Sequence, residues 1–160
     1  MIPKNYKILQ IDEDPMYNEI FFSSKKWTCC ESGLKYPIMV AVYDEDKNTP
    51  FIQVSNDKKW VPVPIPGCTN SFNVSVSKNP VILTPDTCEI DPRDVHRIFQ
   101  WIKINYDKIV LMHWMFERDI LKYLDEDTNI IYSHSSVLGT MKRVKRKTKK
   151  RNIITNQGNT

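Results

Sequence analysis

The sequence predicts an α+β fold, in which a small antiparallel sheet from the N-terminal half is packed by two or three C-terminal helices. Short apolar segments bounded by Pro, Gly, Asn or Asp fill residues 1–84, and a helical repeat of apolar residues follows over 91–125. A dense basic run near the C-terminus predicts disorder from Gly139 onward. We therefore expect a single α+β domain over residues 1–138 and a basic tail over 139–160.

Five strands are predicted, each rich in Val, Ile, Tyr or Phe: residues 6–11, 36–43, 51–54, 60–65 and 72–77. The clearest alternation places Phe72, Val74 and Val76 on one face. Prolines at positions 62, 64 and 66 remove the N–H donors from one edge of the fourth segment, which favours a protected edge strand over a partner-docking arm.

The helical region has a clear start. Asp91 can cap a helix, and Pro92 suits its first position. An amphipathic stripe follows at Val95, Ile98, Phe99 and Ile102, and it should face the sheet. A stop in left-handed geometry is expected at Asn105.

The segment 109–116 is apolar on all sides apart from one His, so periodicity alone does not separate a buried helix from a buried strand. Ile120, Leu121 and Leu124 continue a helical spacing without Pro or Gly, which favours a helix. Residues 130–132 are expected to add a last strand.

The charge distribution is strongly uneven. Of 23 Lys and Arg residues, eight lie within residues 142–151, which leaves 15 against 19 Asp and Glu. The rest of the chain is therefore net −4, while the run is +8. A concentrated cationic arm on an acidic body indicates a polyanionic partner. The predicted nucleic-acid-binding residues are Lys142, Arg143, Lys145, Arg146, Lys147, Lys149, Lys150 and Arg151.

Catalytic and metal signatures are weak. The acidic triplets at 12–14, 44–46 and 125–127 could hold Mg²⁺, but adjacent carboxylates point in different directions, and solvated turns are favoured. His113 is predicted to be a hydrogen-bonded core residue and His96 to face solvent, whereas His134 has no assigned structure. Phosphate loops, dinucleotide fingerprints, nucleophile elbows and zinc spacings are not found. We expect no metal, no cofactor and, on balance, no enzymatic activity.

Cysteine usage and the N-terminus favour a cytoplasmic protein. Cys29, Cys30, Cys68 and Cys88 fit no metal or redox spacing, and reduced thiols are expected. The chain shows neither a secretion signal nor a stretch of apolar residues long enough for a membrane span. Lysine pairs precede Trp27 and Trp60, which could stack bases, although a Trp that begins a strand after a polar turn gives the same pattern.

One segment carries a family resemblance. Residues 74–114 contain Asn79-Pro80 after a strand, followed by a helix with Trp101, Ile102, Asn105, Leu111 and Trp114. This pattern resembles the C-terminal half of small uncharacterised bacterial proteins. It is also distantly similar to a domain family of unknown function found beside antitoxin-like partners in toxin–antitoxin-type operons. The resemblance implies a toxin role and assigns no catalytic residue.

Three functional hypotheses follow. The leading one is a small intracellular accessory protein, whose tail contacts nucleic acid and whose acidic body docks a protein partner. The alternative is a toxin-type ribonuclease that acts on RNA recruited by the tail. In the third, the tail binds an anionic membrane surface, although no membrane partner is favoured.

Overall fold

Two antiparallel sheets and one long helix make up the part of the chain that the computed structural model describes, namely residues 4–11, 26–41, 50–59, 70–118 and 120–145. The strands are β1 (Tyr6–Ile11), β2 (Lys26–Trp27), β3 (Ile38–Ala41), β4 (Phe51–Ser55), β5 (Ser71–Ser75), β6 (Ile120–Asp125) and β7 (Ile130–Ser133). The helices are α1 (Cys29–Ser32), α2 (Pro92–Glu117) and α3 (His134–Gly139), with a 3₁₀ turn at Pro85–Thr87. This architecture confirms the α+β class.

The first sheet has the order β2-β3-β4-β5 and a regular apolar face. Ile38 pairs with Val54, which pairs with Phe72, and all three side chains are buried. The predicted alternation of Phe72 and Val74 is confirmed, because both are buried while Asn73 between them is only half-buried. One inward row on each strand therefore forms the sheet's share of the core.

The second sheet joins the two ends of the domain. Its order is β1-β6-β7, so the N-terminal strand pairs antiparallel with a strand more than 100 residues later. The turn between β6 and β7 contains Asn129 at φ 56°, in the left-handed region that Asn tolerates. Four strands of the N-terminal half thus form the first sheet by themselves, as predicted, and β1 alone among the described N-terminal strands joins strands from the C-terminal half.

Helix α2 packs against both sheets. Near its middle, Trp101 contacts Trp27 of β2 with the ring centroids 5.8 Å apart. Towards its end, Trp114 contacts Tyr123 of β6 at 5.5 Å. These aromatic contacts belong to one continuous cluster of buried residues, and edge-to-face rings add to the energy of burying them. Helix α2 thus contributes to the hydrophobic core along most of its length and connects the two sheets through it.

Asp91 caps α2 as predicted, and its side chain accepts the backbone N–H of Arg93. The predicted stop at Asn105 is wrong, because α2 continues without interruption to Glu117. Asn105 is fully buried within the helix, and its side chain donates to the carbonyl of Trp101 one turn earlier. Buried apolar residues before and after it continue the core-facing side of the helix through this position.

The predicted helix over 109–124 is correct only as far as Glu117. From Ile120 the chain is a strand, since β6 finds backbone partners on both of its sides, in β1 and β7. The last predicted strand, at 130–132, is confirmed by β7. The predicted segment 60–65 and the prolines at 62, 64 and 66 lie outside the described residues. No helix in the described ranges is long and apolar enough to span a membrane.

Candidate nucleic-acid interface

The first part of the basic run is held against the body. Residues 140–145, which we call the strap, run along α2 from its middle towards its N-terminal end. Val144 in the strap is buried, with only 9% of its surface exposed, and it belongs to the main core cluster. The expectation of disorder from Gly139 onward is therefore wrong for residues 139–145, and residues 146–160 lie outside the described part of the chain.

Asn105 of α2 forms hydrogen bonds with the strap at one residue. Its Oδ1 accepts the backbone N–H of Lys142 at 2.7 Å, and its Nδ2 donates to the carbonyl oxygen of Lys142 at 3.0 Å. A primary amide offers an acceptor and two donors, so one Asn side chain can satisfy both backbone groups of a single residue. This two-point contact fixes the path of the strap at Lys142.

A second set of contacts fixes the far end of the strap. The backbone N–H of Val144 donates to the carbonyl of Ser32 at 2.9 Å. Arg97 donates through Nη2 to the carbonyl oxygens of Lys145 at 2.8 Å and Gly33 at 3.3 Å. The guanidinium therefore ties the end of the strap and the end of α1 to helix α2.

Gly33 makes this close approach possible. It has φ +78°, in the left-handed region, and a Cβ at this position would lie 2.0 Å from the carbonyl oxygen of Val144. No side chain larger than hydrogen fits there without movement of the strap.

Lys108 contacts the start of the strap by donating from Nζ to the carbonyl oxygen of Thr140. Partial burial lowers the pKa of Lys108, and the positive charge of neighbouring Lys142 lowers it further. Positive charge is therefore concentrated where the strap begins.

The body holds the strap through its backbone groups, and the basic side chains of the strap remain exposed to solvent. Lys142, Arg143 and Lys145 are exposed, while Val144 between them points into the core. Cations on a fixed backbone lose less conformational freedom on binding than cations on a free chain. Of the eight predicted binding residues, these three are placed by the structure, whereas Arg146, Lys147, Lys149, Lys150 and Arg151 lie outside the described residues.

The anchors of the strap are the residues that the sequence did not reveal. The sequence predicts a helix stop at Asn105, and it predicts no anchoring role for Arg97 or Gly33. A polar residue within an apolar helical repeat was the one available signal, because a buried amide needs partners.

The histidines occupy different environments. His113 is buried, with Nε2 at 3.2 Å from Oε1 of Glu117, which agrees with the predicted hydrogen-bonded core residue. His96 is exposed, as predicted, and contacts Gln100. His134 is buried at the first position of α3. His96 and His113 lie 17 residues apart on α2, about 25 Å along the helix axis, so these two side chains do not share one site.

The remaining candidates have structural roles. The acidic triplet at 125–127 lies where β6 enters its turn, and Asp125 accepts the backbone N–H of Asp127 at 3.0 Å, as expected of a turn. Trp27 is buried against α2, so its ring is not a surface for base stacking. Cys29, Cys30 and Cys88 are free thiols. Within the described ranges, no group of three or more His, Cys, Asp or Glu could hold a metal ion.

Comparison with protein-family models finds no matching family, and neither the curated proteins nor the solved structures contain a significant match.

Proposed function

We propose that this chain is a small intracellular binding protein, whose basic C-terminal run contacts nucleic-acid phosphates without sequence preference and whose body docks a protein partner. The observation that carries the first part is the strap. It fixes the start of the run on the body and leaves Lys142, Arg143 and Lys145 exposed to a ligand. Basic side chains that neutralise phosphates release condensed counterions, and this release drives binding.

The test is the salt dependence of binding to a labelled single-stranded oligouridylate. If all eight basic residues engage the strand, log K falls against log salt with a slope of about −6, because each contact with a single strand contributes about −0.7. Replacing the five residues beyond the strap, with Arg146→Gln, Lys147→Gln, Lys149→Gln, Lys150→Gln and Arg151→Gln, should reduce the slope by about 3.5.

Substitution is a cleaner test than truncation, since removal of residues 142–145 would also expose the surfaces that the strap covers. The matched control exchanges Lys for Arg and Arg for Lys at the same five positions, and it should bind like the native chain. The proposal fails if the Gln variant keeps the native slope. It also fails if the native chain binds acidic lipid vesicles but not the oligonucleotide.

The protein-docking half of the proposal is supported by an apolar groove of about 550 Å³ beside the start of α2. Ile82, Cys88, Ile90 and Phe99 line it, and Val81 and Leu83 nearby are about half exposed. Exposed apolar surface of this kind favours a partner that contributes apolar side chains. A partner retained by the native chain should be lost with Val81→Asp and Leu83→Asp, and kept with the control Ile104→Asp on exposed helix surface.

A toxin-type ribonuclease is the second candidate, and one cluster favours it. His113 pairs with Glu117, and Arg118 lies 3.7 Å from the same carboxylate, so a base and a cation for phosphorane charge are adjacent. Purified protein incubated with RNA, with and without chelator, tests this candidate. Cleavage that persists with chelator and is lost in Arg118→Gln supports it, and intact RNA at high protein concentration removes it.

A further inference from the structure

A groove with positive charge lies at the N-terminal end of α2, next to the point where the strap ends. It has a volume of about 1080 Å³. This volume is slightly larger than that of typical small-molecule pockets, which measure about 300–1,000 Å³. We call it the cationic groove, and its basic and acidic lining residues are Lys35, Lys58, Arg93, Asp94, His96 and Arg97.

The lining is positive on a body that is otherwise acidic. Four Lys and Arg side chains face one carboxylate among the described lining residues, so the lining is net +3 with His96 neutral. Asp94 lies 3.9 Å from Lys35, and Asp91 beside the groove pairs with Arg93 at 3.3 Å, which leaves an excess of two positive charges. The pair of Arg93 with Asp91 is exposed on both sides and weak, so Arg93 can turn to a stronger anion.

The groove and the basic run are continuous. Arg97 lines the groove, and the same guanidinium binds the carbonyl oxygen of Lys145, the last residue of the strap. Lys145, at the end of the strap, therefore lies at the border of the groove. A polyanion held by the exposed strap cations lies next to four further cations on the folded body.

We propose that the cationic groove is a second, preformed phosphate-binding surface, which holds a single-stranded nucleic acid next to the segment bound by the basic run. This inference rests on the proposed function and extends the interface from the run to the folded body. Lys58 and Arg93 are exposed and available for phosphate oxygens. No Trp, Tyr or Phe is among the described lining residues, so the groove should read the backbone and not the bases.

The experiment compares two full-length double variants in binding a labelled oligouridylate over a range of salt. Lys58→Gln with Arg93→Gln removes two groove charges, and it should make the salt slope less negative by about 1.4. At about 0.1 M salt, the same loss corresponds to an increase in Kd of about 25-fold, because each contact contributes about 0.7 log unit. A matched oligoadenylate should show the same change.

The matched control is Lys7→Gln with Lys122→Gln, two exposed positions on the second sheet, which lowers the net charge equally. Its Kd should change by less than about twofold, since distant charges are screened at this salt. The inference would be overturned if the groove variant and the control variant raised Kd equally. It would also be overturned if the native chain bound polyglutamate more tightly than the oligonucleotide and the groove substitutions weakened that binding. If the Gln substitutions beyond the strap change nothing, the proposed function fails separately from this inference.

Discussion

Asn105 shows how one polar residue organises a surface from inside the core. It is fully buried in a helix, where an unpaired amide would cost about 1–3 kcal/mol. Its hydrogen bonds to Trp101 and to both backbone groups of Lys142 remove that cost and hold the strap in one place. The residue that the pattern marked as the end of a helix is therefore the residue that connects the helix to the basic run.

Gly33 offers the sharpest test of the strap at this scale. Gly33→Ala places a Cβ 2.0 Å from the carbonyl of Val144 and forces Ala into the left-handed region, so it should lower the free energy of unfolding by about 1–3 kcal/mol. Gly139→Ala is the matched control, because a Cβ there meets no described atom within 4 Å, and its effect should stay below about 1 kcal/mol. Urea midpoints measure both, and equal midpoints would contradict the close packing of the strap on α1.

Among the elements, those specified by local signals were predictable and those specified by distant partners were not. Asp91 and Pro92 mark the start of α2 within two residues, and the alternation of Phe72 and Val74 marks a strand. Strand β6 differs, because its partner β1 lies more than 100 residues away and its own sequence continues a helical spacing. The local sequence of β6 therefore does not indicate that it pairs with β1.

The candidate site likewise combines a locally visible part with a part fixed by distant residues. The basic residues were evident from composition, and their relation to the body was not. Val144 is the only strongly apolar residue in the ten-residue basic run, so nothing in the run indicated burial. Its position depends on Gly33, Arg97 and Asn105, which are distant in the sequence and have no shared motif.

The cap of α2 predicts a pH effect at the level of the element. Hydrogen bonds from the side chain and backbone of Arg93 hold the pKa of Asp91 below its ordinary value of 3.8. A carboxyl with a lowered folded-state pKa stabilises the fold above its unfolded pKa, and this stabilisation is lost as the pH falls through the lowered value. Asp91→Asn keeps a capping oxygen without the charge.

The native chain should therefore have the higher urea midpoint near neutral pH, and the gap to Asp91→Asn should close as the pH falls below 3.8. Midpoints measured from pH 7 downward test this. Equal midpoints of the two chains at every pH would show that the capping hydrogen bond, which both retain, and not the charge supplies the stabilisation.

For the whole molecule, the net charge of +4 conceals an acidic remainder at net −4 and a basic run at +8. The acidic remainder repels a nucleic acid at long range, and the cationic groove gives it one favourable surface. Because the strap ends at that groove, the two positive regions form one continuous path. In this arrangement the basic run attracts the nucleic acid, and the strap and the cationic groove determine where on the body it lies.

This division predicts how nucleic acid changes thermal stability. Contacts made by side chains of the run alone persist in the unfolded chain and leave the unfolding temperature unchanged, whereas contacts to the groove exist only in the folded state. Ligand at 100 times Kd stabilises a fold by at most about 2.7 kcal/mol, or about 5–10 °C for a chain of this size. The native chain with oligouridylate should show a clear part of this shift.

At matched saturation, Lys58→Gln with Arg93→Gln should show a smaller shift, because binding then depends more on the run. The Gln variant at the five positions beyond the strap should keep the shift despite weaker binding, since its contacts are confined to folded surface. Differential scanning fluorimetry with ligand scaled to each measured Kd makes the comparison. The opposite result would be a ligand-induced rise in unfolding temperature that is lost in the five-position Gln variant and unchanged in Lys58→Gln with Arg93→Gln. It would show that the nucleic acid contacts only the basic run and not the folded body.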